Sequence, residues 1–151
     1  MTHTEKALAL FPQYYHCSQS VFSAFADELG ISEQTAQKIG ACFGSGMCKG
    51  EVCGACTGAL MVLGMKYTQA DDFNADARKQ VNDITKRFLD MFAEENGSYL
   101  CRELLGYNLG VPEEAAAAKA EGLFRTFCPK MVASAVKIVE QIMLGTDEES
   151  V

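Results

Sequence analysis

Residues 75–94 read ADARKQVNDITKRFLDMFAE. Val81, Ile84, Phe88, Met91 and Phe92 recur at three- and four-residue intervals, which puts them on one stripe of an α-helix. Asp83 and Arg87 stand four apart on the polar face, the spacing of a supporting ion pair. Asn96-Gly97 supplies the stop. Such a stripe must bury itself against other elements, so the flanking segments decide the fold.

Working outward, those segments are helical too. Towards the C-terminus, a short helical piece covers about Tyr99 to Leu105 and stops at Gly106. Pro112 opens an alanine-rich helix that ends near Gly122. The last helix runs from about Pro129 to Leu144, with Met131, Val132, Ala135, Val136, Val139, Ile142 and Met143 as its apolar stripe. An acidic tail over 145–151, with Asp147, Glu148 and Glu149, should be solvated and frayed. Towards the N-terminus, Leu8, Leu10 and Phe11 lead into Pro12, which should end or kink a first short helix. A second helix is expected from about His16 to Leu29, stopped by Gly30, and a third from Ser32 to about Ile39. Gly44 to Gly54 (GSGMCKGEVCG) is a glycine- and cysteine-rich loop. From about Val52 the chain turns apolar and helical again, with Gly54 and Gly58 sharing a face that favours close backbone packing. No convincing period-2 segment occurs. The expectation is all-α, a compact multi-helix bundle in one domain spanning 1–151.

Composition narrows the function. Hydrophobic residues make up 48% of the 151, enough for a core, so disorder is excluded. A formal net charge of −7 without a basic run disfavours nucleic acid as a partner. No apolar stretch approaches the roughly 20 residues of a membrane span. The N-terminus lacks a basic region followed by a long apolar core, so the expected compartment is the cytoplasm. Thiols stay reduced there, and seven cysteines point to metal or redox chemistry rather than to staples. The glycine loop lacks the Gly-Lys-Ser/Thr ending of a phosphate cradle.

The cysteines are Cys17, Cys42, Cys48, Cys53, Cys56, Cys101 and Cys128. Cys17, Cys53, Cys101 and Cys128 fall near expected helix N-termini, where the partial positive charge favours a thiolate. Two quartets can be drawn. The local one, Cys48-x4-Cys53-x2-Cys56 with Cys101, has the spacing of plant-type [2Fe–2S] ferredoxins, whose fold is strand-rich. The dispersed one, Cys17, Cys53, Cys101 and Cys128, has to be gathered by folding.

Several stretches together carry a resemblance. They are Cys17-Ser18-Gln19-Ser20-Val21-Phe22, Phe43-Gly44-Ser45-Gly46-Met47, Cys53-Gly54-Ala55-Cys56-Thr57-Gly58, Cys101-Arg102-Glu103-Leu104-Leu105-Gly106 and Cys128-Pro129. From about Cys17 to Met143 the chain resembles the C_GCAxxG_C_C family. Its members are small bacterial and archaeal proteins named for dispersed cysteines and credited with redox activity. The resemblance implies the dispersed quartet as the site and leaves Cys42, Cys48 and Cys56 as extras.

Three functions follow. In the first, Cys17, Cys53, Cys101 and Cys128 ligate an iron–sulfur cluster, [2Fe–2S] being expected, or another metal, for electron transfer or sensing. Arg102 and Lys130 would add positive charge beside it. In the second, no metal binds, and Cys53 and Cys56 form a catalytic dithiol, attacking and resolving in turn. In the third, the chain is a helical interaction protein. His16 is a weak ligand candidate, His3 belongs to a frayed terminus, and Tyr14, Tyr15, Met61 and Met65 read as core or interface. The redox partner is unidentified. A homodimer is compatible with a short bundle that exposes an apolar helix face, though no feature requires one.

Overall fold

The computed structural model describes the backbone of residues 1–149 and the side chains of residues 1–145. Its helices are α1 (His3–Leu10), α2 (Cys17–Ala24), α3 (Ala26–Leu29), α4 (Glu33–Gly40), α5 (Gly54–Tyr67), α6 (Ala75–Asn96), α7 (Cys101–Leu105), α8 (Pro112–Ala120), α9 (Leu123–Thr126) and α10 (Cys128–Glu149). Among the described residues no strand forms, and one isolated antiparallel bridge joins Val52 to Leu100. The all-α expectation holds.

Local chemistry explains the starts and stops. Thr2 accepts from the Glu5 amide and Glu5 reaches back to the Thr2 amide, closing a capping box on α1. Ser32 accepts from Thr35 at the start of α4, and Asn74 from Ala77 at the start of α6. Gly30, Gly97 and Gly106 end their helices in the left-handed region.

Several expectations need correction. The helix expected over His16–Leu29 breaks at Phe25, whose φ of −105° and ψ of 2° separate α2 from α3. Phe25 is buried there and stacks on the His3 ring, with centroids 4.0 Å apart. His3 is therefore no frayed residue. Its Nδ1 lies 3.0 Å from a Glu140 carboxylate oxygen and its Nε2 contacts Glu28, tying α1 to α3 and α10. On α6, Asp83 pairs with Lys79 at 4.0 Å rather than with Arg87. The last helix starts one residue early, at Cys128, and continues past Leu144 to Glu149. The side chains of the expected frayed tail lie outside the described residues from 146 onward.

The core sits where α2, α5 and α10 meet. Val21, Phe22 and Phe25 pack with Val62 and Leu63 and with Val132, Val136, Val139 and Ile142. From α6 only Phe88 and Phe92 are buried, while Val81 and Ile84 stay half-buried. The decisive stripe thus covers the core with its C-terminal half. Each full side-chain burial of this kind contributes about 1.5–3 kcal/mol.

Candidate functional site

The site is built on close helix contacts that only glycine permits. A β-carbon on Gly58 would lie 2.6 Å from the Ser18 carbonyl oxygen, and one on Gly54 would lie 3.2 Å from the Cys17 β-carbon. The shared glycine face of α5 therefore rests directly on the first turn of α2. Cys17 is the first residue of α2 and Cys53 precedes α5, so this contact brings the two cysteines to one end of the bundle.

Cys101 is placed by the isolated bridge. The Cys53 amide donates to the Tyr99 carbonyl at 2.8 Å, and the Cys101 amide donates to the Glu51 carbonyl at 2.6 Å. Side chains alternate along extended backbone, so Cys53 and Cys101, flanking the paired Val52 and Leu100, emerge on one face.

The segment leading into the bridge is unusual. Ser45, Gly46, Met47 and Cys48 are consecutive left-handed residues with φ between 55° and 61°. A left-handed turn costs L-residues roughly 1–2 kcal/mol each. It is held by amide donation from Cys48 to Gly44, from Gly50 to Ser45 and from Glu51 to Gly46. Arg102 fastens its far end, donating to the Gly50 carbonyl at 3.2 Å and pairing with Glu51 at 3.1 Å. Arg102 is thus a clamp on the loop and not a counter-charge for thiolates. Lys130 is exposed and lies outside the cavity wall.

Cys17, Cys53, Cys101 and Cys128 all line one cavity of about 890 Å³. Its walls are largely apolar, with Phe11, Leu104, Phe124, Phe127 and Met131 among them. His16 lines it too, its ring packed over Gly44, where a β-carbon would come within 2.1 Å of it. Tyr15 is a wall residue and Tyr14 is fully exposed at the mouth, so neither is core. Cys42 and Cys48 are exposed, and Cys56 is buried behind the wall; none of the three lines the cavity. The local ferredoxin-like quartet is therefore not assembled as a unit.

The thiols differ sharply in acidity. The Cys53 pKa is lowered, first by a hydrogen bond from the Cys56 thiol; the Ala55 and Cys56 amides at the start of α5 add to this, against the cost of burial. Cys56 is raised strongly by burial and by its role as donor to Cys53. Cys17 is raised well above the ordinary thiol value by donation to Cys128, then by burial and by repulsion from Cys53, Cys128 and Cys101. Burial pushes Cys101 up to about 12, with Cys53 and Cys128 adding to it. The mutual repulsion shows that the dispersed cysteines share one electrostatic environment. Of the shifted thiols, Cys53 alone is lowered.

Thiolates around a single tetrahedral ion lie about 3.8 Å apart, given metal–sulfur bonds of about 2.3 Å. Among the described residues no three His, Cys, Asp or Glu side chains converge in that way. The four thiols share one cavity wall without closing on a single tetrahedral ion site. Four cysteine thiolates are the ligand set of a two-iron cluster, and four cysteines line this cavity.

Sequence reasoning missed the cavity wall. Lys119 and Arg125 border it, and no cysteine spacing or helix signal singled them out. In comparisons with known proteins, the family model described as Putative redox-active protein (C_GCAxxG_C_C) matches residues 15–142. No curated protein and no solved structure matches the chain.

Proposed function

Because the chain belongs to the C_GCAxxG_C_C family, described at family level as redox-active, we propose that its cavity is a redox centre in which Cys17, Cys53, Cys101 and Cys128 hold a [2Fe–2S] cluster. The observation that carries this reading is the meeting of these four sequence-distant cysteines at one cavity. A bound cluster of this type supplies one-electron oxidation and reduction. The chain's own residues do the rest. Cys53 offers the most available thiolate, and the amides of Ala55 and Cys56 spread its charge. Apolar walls surround the thiols, and the bridge at Val52 and Leu100 anchors the backbone at Cys53 and Cys101.

Anaerobic reconstitution with ferrous iron and sulfide tests it. The expected result is about two irons and two sulfides per chain with visible absorption. Serine at position 17, 53, 101 or 128 should abolish the absorption, whereas C42S, C48S and C56S should retain it. A chain that retains no iron, or one that needs Cys56 and not Cys128, refutes the reading.

One observation favours a second, metal-free reading: the Cys56 thiol donates to the activated Cys53 sulfur. The Cys53 thiolate would attack a disulfide substrate, forming a mixed disulfide and releasing one thiolate. Cys56 would then displace the second substrate sulfur, its proton passing to the departing thiolates. The substrate disulfide gains two electrons and the Cys53–Cys56 pair loses them. This reading expects iron-free protein to lose two thiols on titration with an organic disulfide, and C56S to stall as the mixed disulfide.

A further inference from the structure

The cavity is larger than thiols and a small cluster require. Its roughly 890 Å³ lies among the volumes of pockets that hold whole small molecules, roughly 300–1,000 Å³. Apart from the thiols, its charged lining is one-sided. The chain carries twenty Asp and Glu against thirteen Lys and Arg, yet no carboxylate lines the cavity, while Lys119 and Arg125 do. The two cations flank the turn between α8 and α9, Lys119 in the last turn of one and Arg125 within the other. Neither makes an ion pair among the described residues. The guanidinium folds back over the turn, 3.7 Å from where a β-carbon on Gly122 would stand. The neighbouring acid, Glu121, is engaged by the Tyr107 hydroxyl and stays outside the wall.

We infer that the cavity binds a small organic anion, with an apolar, aromatic or aliphatic body against Phe124 and Phe127 and an acidic group at Lys119 and Arg125. Charge complementarity selects the anion, and the apolar walls select its body. The inference rests on the redox reading only in making that anion a ligand of the redox site. The binding itself depends on the walls.

The probe is 8-anilinonaphthalene-1-sulfonate, compared with the neutral N-phenyl-1-naphthylamine, on reduced, metal-free, folded protein. The sulfonate should bind saturably at one site per chain. K119Q/R125Q, altered only at exposed positions, should weaken the sulfonate roughly tenfold, as two exposed ion pairs imply, and leave the neutral probe unchanged. Bound sulfonate should slow iodoacetamide alkylation of Cys53 severalfold. No saturable binding, an equal loss for both probes, or unshielded Cys53 overturns the inference. Because the protein is metal-free, a failed cluster reconstitution leaves this result readable.

Discussion

Alanine at Gly58 and alanine at Gly64 are the same chemical change on the same helix, and the structure gives them opposite consequences. Gly64 has nothing within 4 Å of its added β-carbon, so Gly64→Ala should gain about 1 kcal/mol from helix propensity. At Gly58 the new carbon meets Ser18 backbone atoms at 2.6, 3.0 and 3.2 Å. No rotamer can relieve a clash with backbone. To reach the 3.4 Å at which contact becomes ordinary, α2 must move off α5 by roughly 0.8 Å. Overpacking of this kind costs about 1–3 kcal/mol. The propensity gain is common to both variants, so the difference between them isolates the packing cost. Urea unfolding of both reduced variants should separate them by about 1–3 kcal/mol at equal m-value. The thermal midpoints should differ by roughly 3–10 °C. The displaced turn carries Cys17, so Gly58→Ala should also alkylate faster at Cys17, and Gly64→Ala should not. If the two variants prove equally stable, the close approach of α5 to α2 is not what builds the site.

Cys56→Ala removes the donor that favours the Cys53 thiolate. The pH midpoint for alkylation of Cys53 should rise, and its rate near neutrality should fall severalfold. Alkaline stability follows from the raised thiols. A thiol whose folded pKa lies above its unfolded value keeps its full stabilisation below the unfolded pKa, near 8.5, and loses it as pH climbs towards the folded one. For Cys101 that window runs to about 12. The reduced protein should therefore weaken above pH 8.5, and C101S should make the decline shallower by up to about 1.4 kcal/mol per pH unit. R102A removes an exposed ion pair worth at most about 1 kcal/mol, so global stability should barely change. Amide exchange at Cys101, whose N–H is bonded to Glu51, should accelerate.

Much of this architecture is legible in the sequence because its signals are local. The stripe of Phe88 and Phe92, the caps at Ser32 and Asn74, and the glycine stops all act within a turn or two. The role of Gly54 and Gly58 was readable from their shared face. What escaped depends on distant partners. Phe25 breaks its helix while buried and stacked on His3, whose other contacts, Glu28 and Glu140, lie far along the chain. The left-handed turn over 45–48 contains three residues with side chains, which propensity assigns elsewhere; tertiary contacts from Arg102 secure its far end. Its three-residue spacing from Cys53 makes Cys56 a member of the local quartet and an extra to the dispersed one. In fact the first turn of α5 points it into the core, where it acts on Cys53 from behind. The cations on the cavity wall carry no spacing signal, since their meaning comes from which acids are missing around them.

The placement of Cys17 at the start of α2 and Cys128 at the start of α10 also has a consequence for timing. The Cys53–Cys56 pair belongs to one helix turn and can form as soon as α5 does. The cavity has high contact order, because one of its thiols arrives only with the last helix. During synthesis the chain therefore carries a ready dithiol before it has a four-thiol chamber. Docking of α10 is the event that completes the chamber. Maturation of the site is thus gated by completion of the fold, and a chain halted before Cys128 exposes cysteines that the finished protein keeps at its cavity wall.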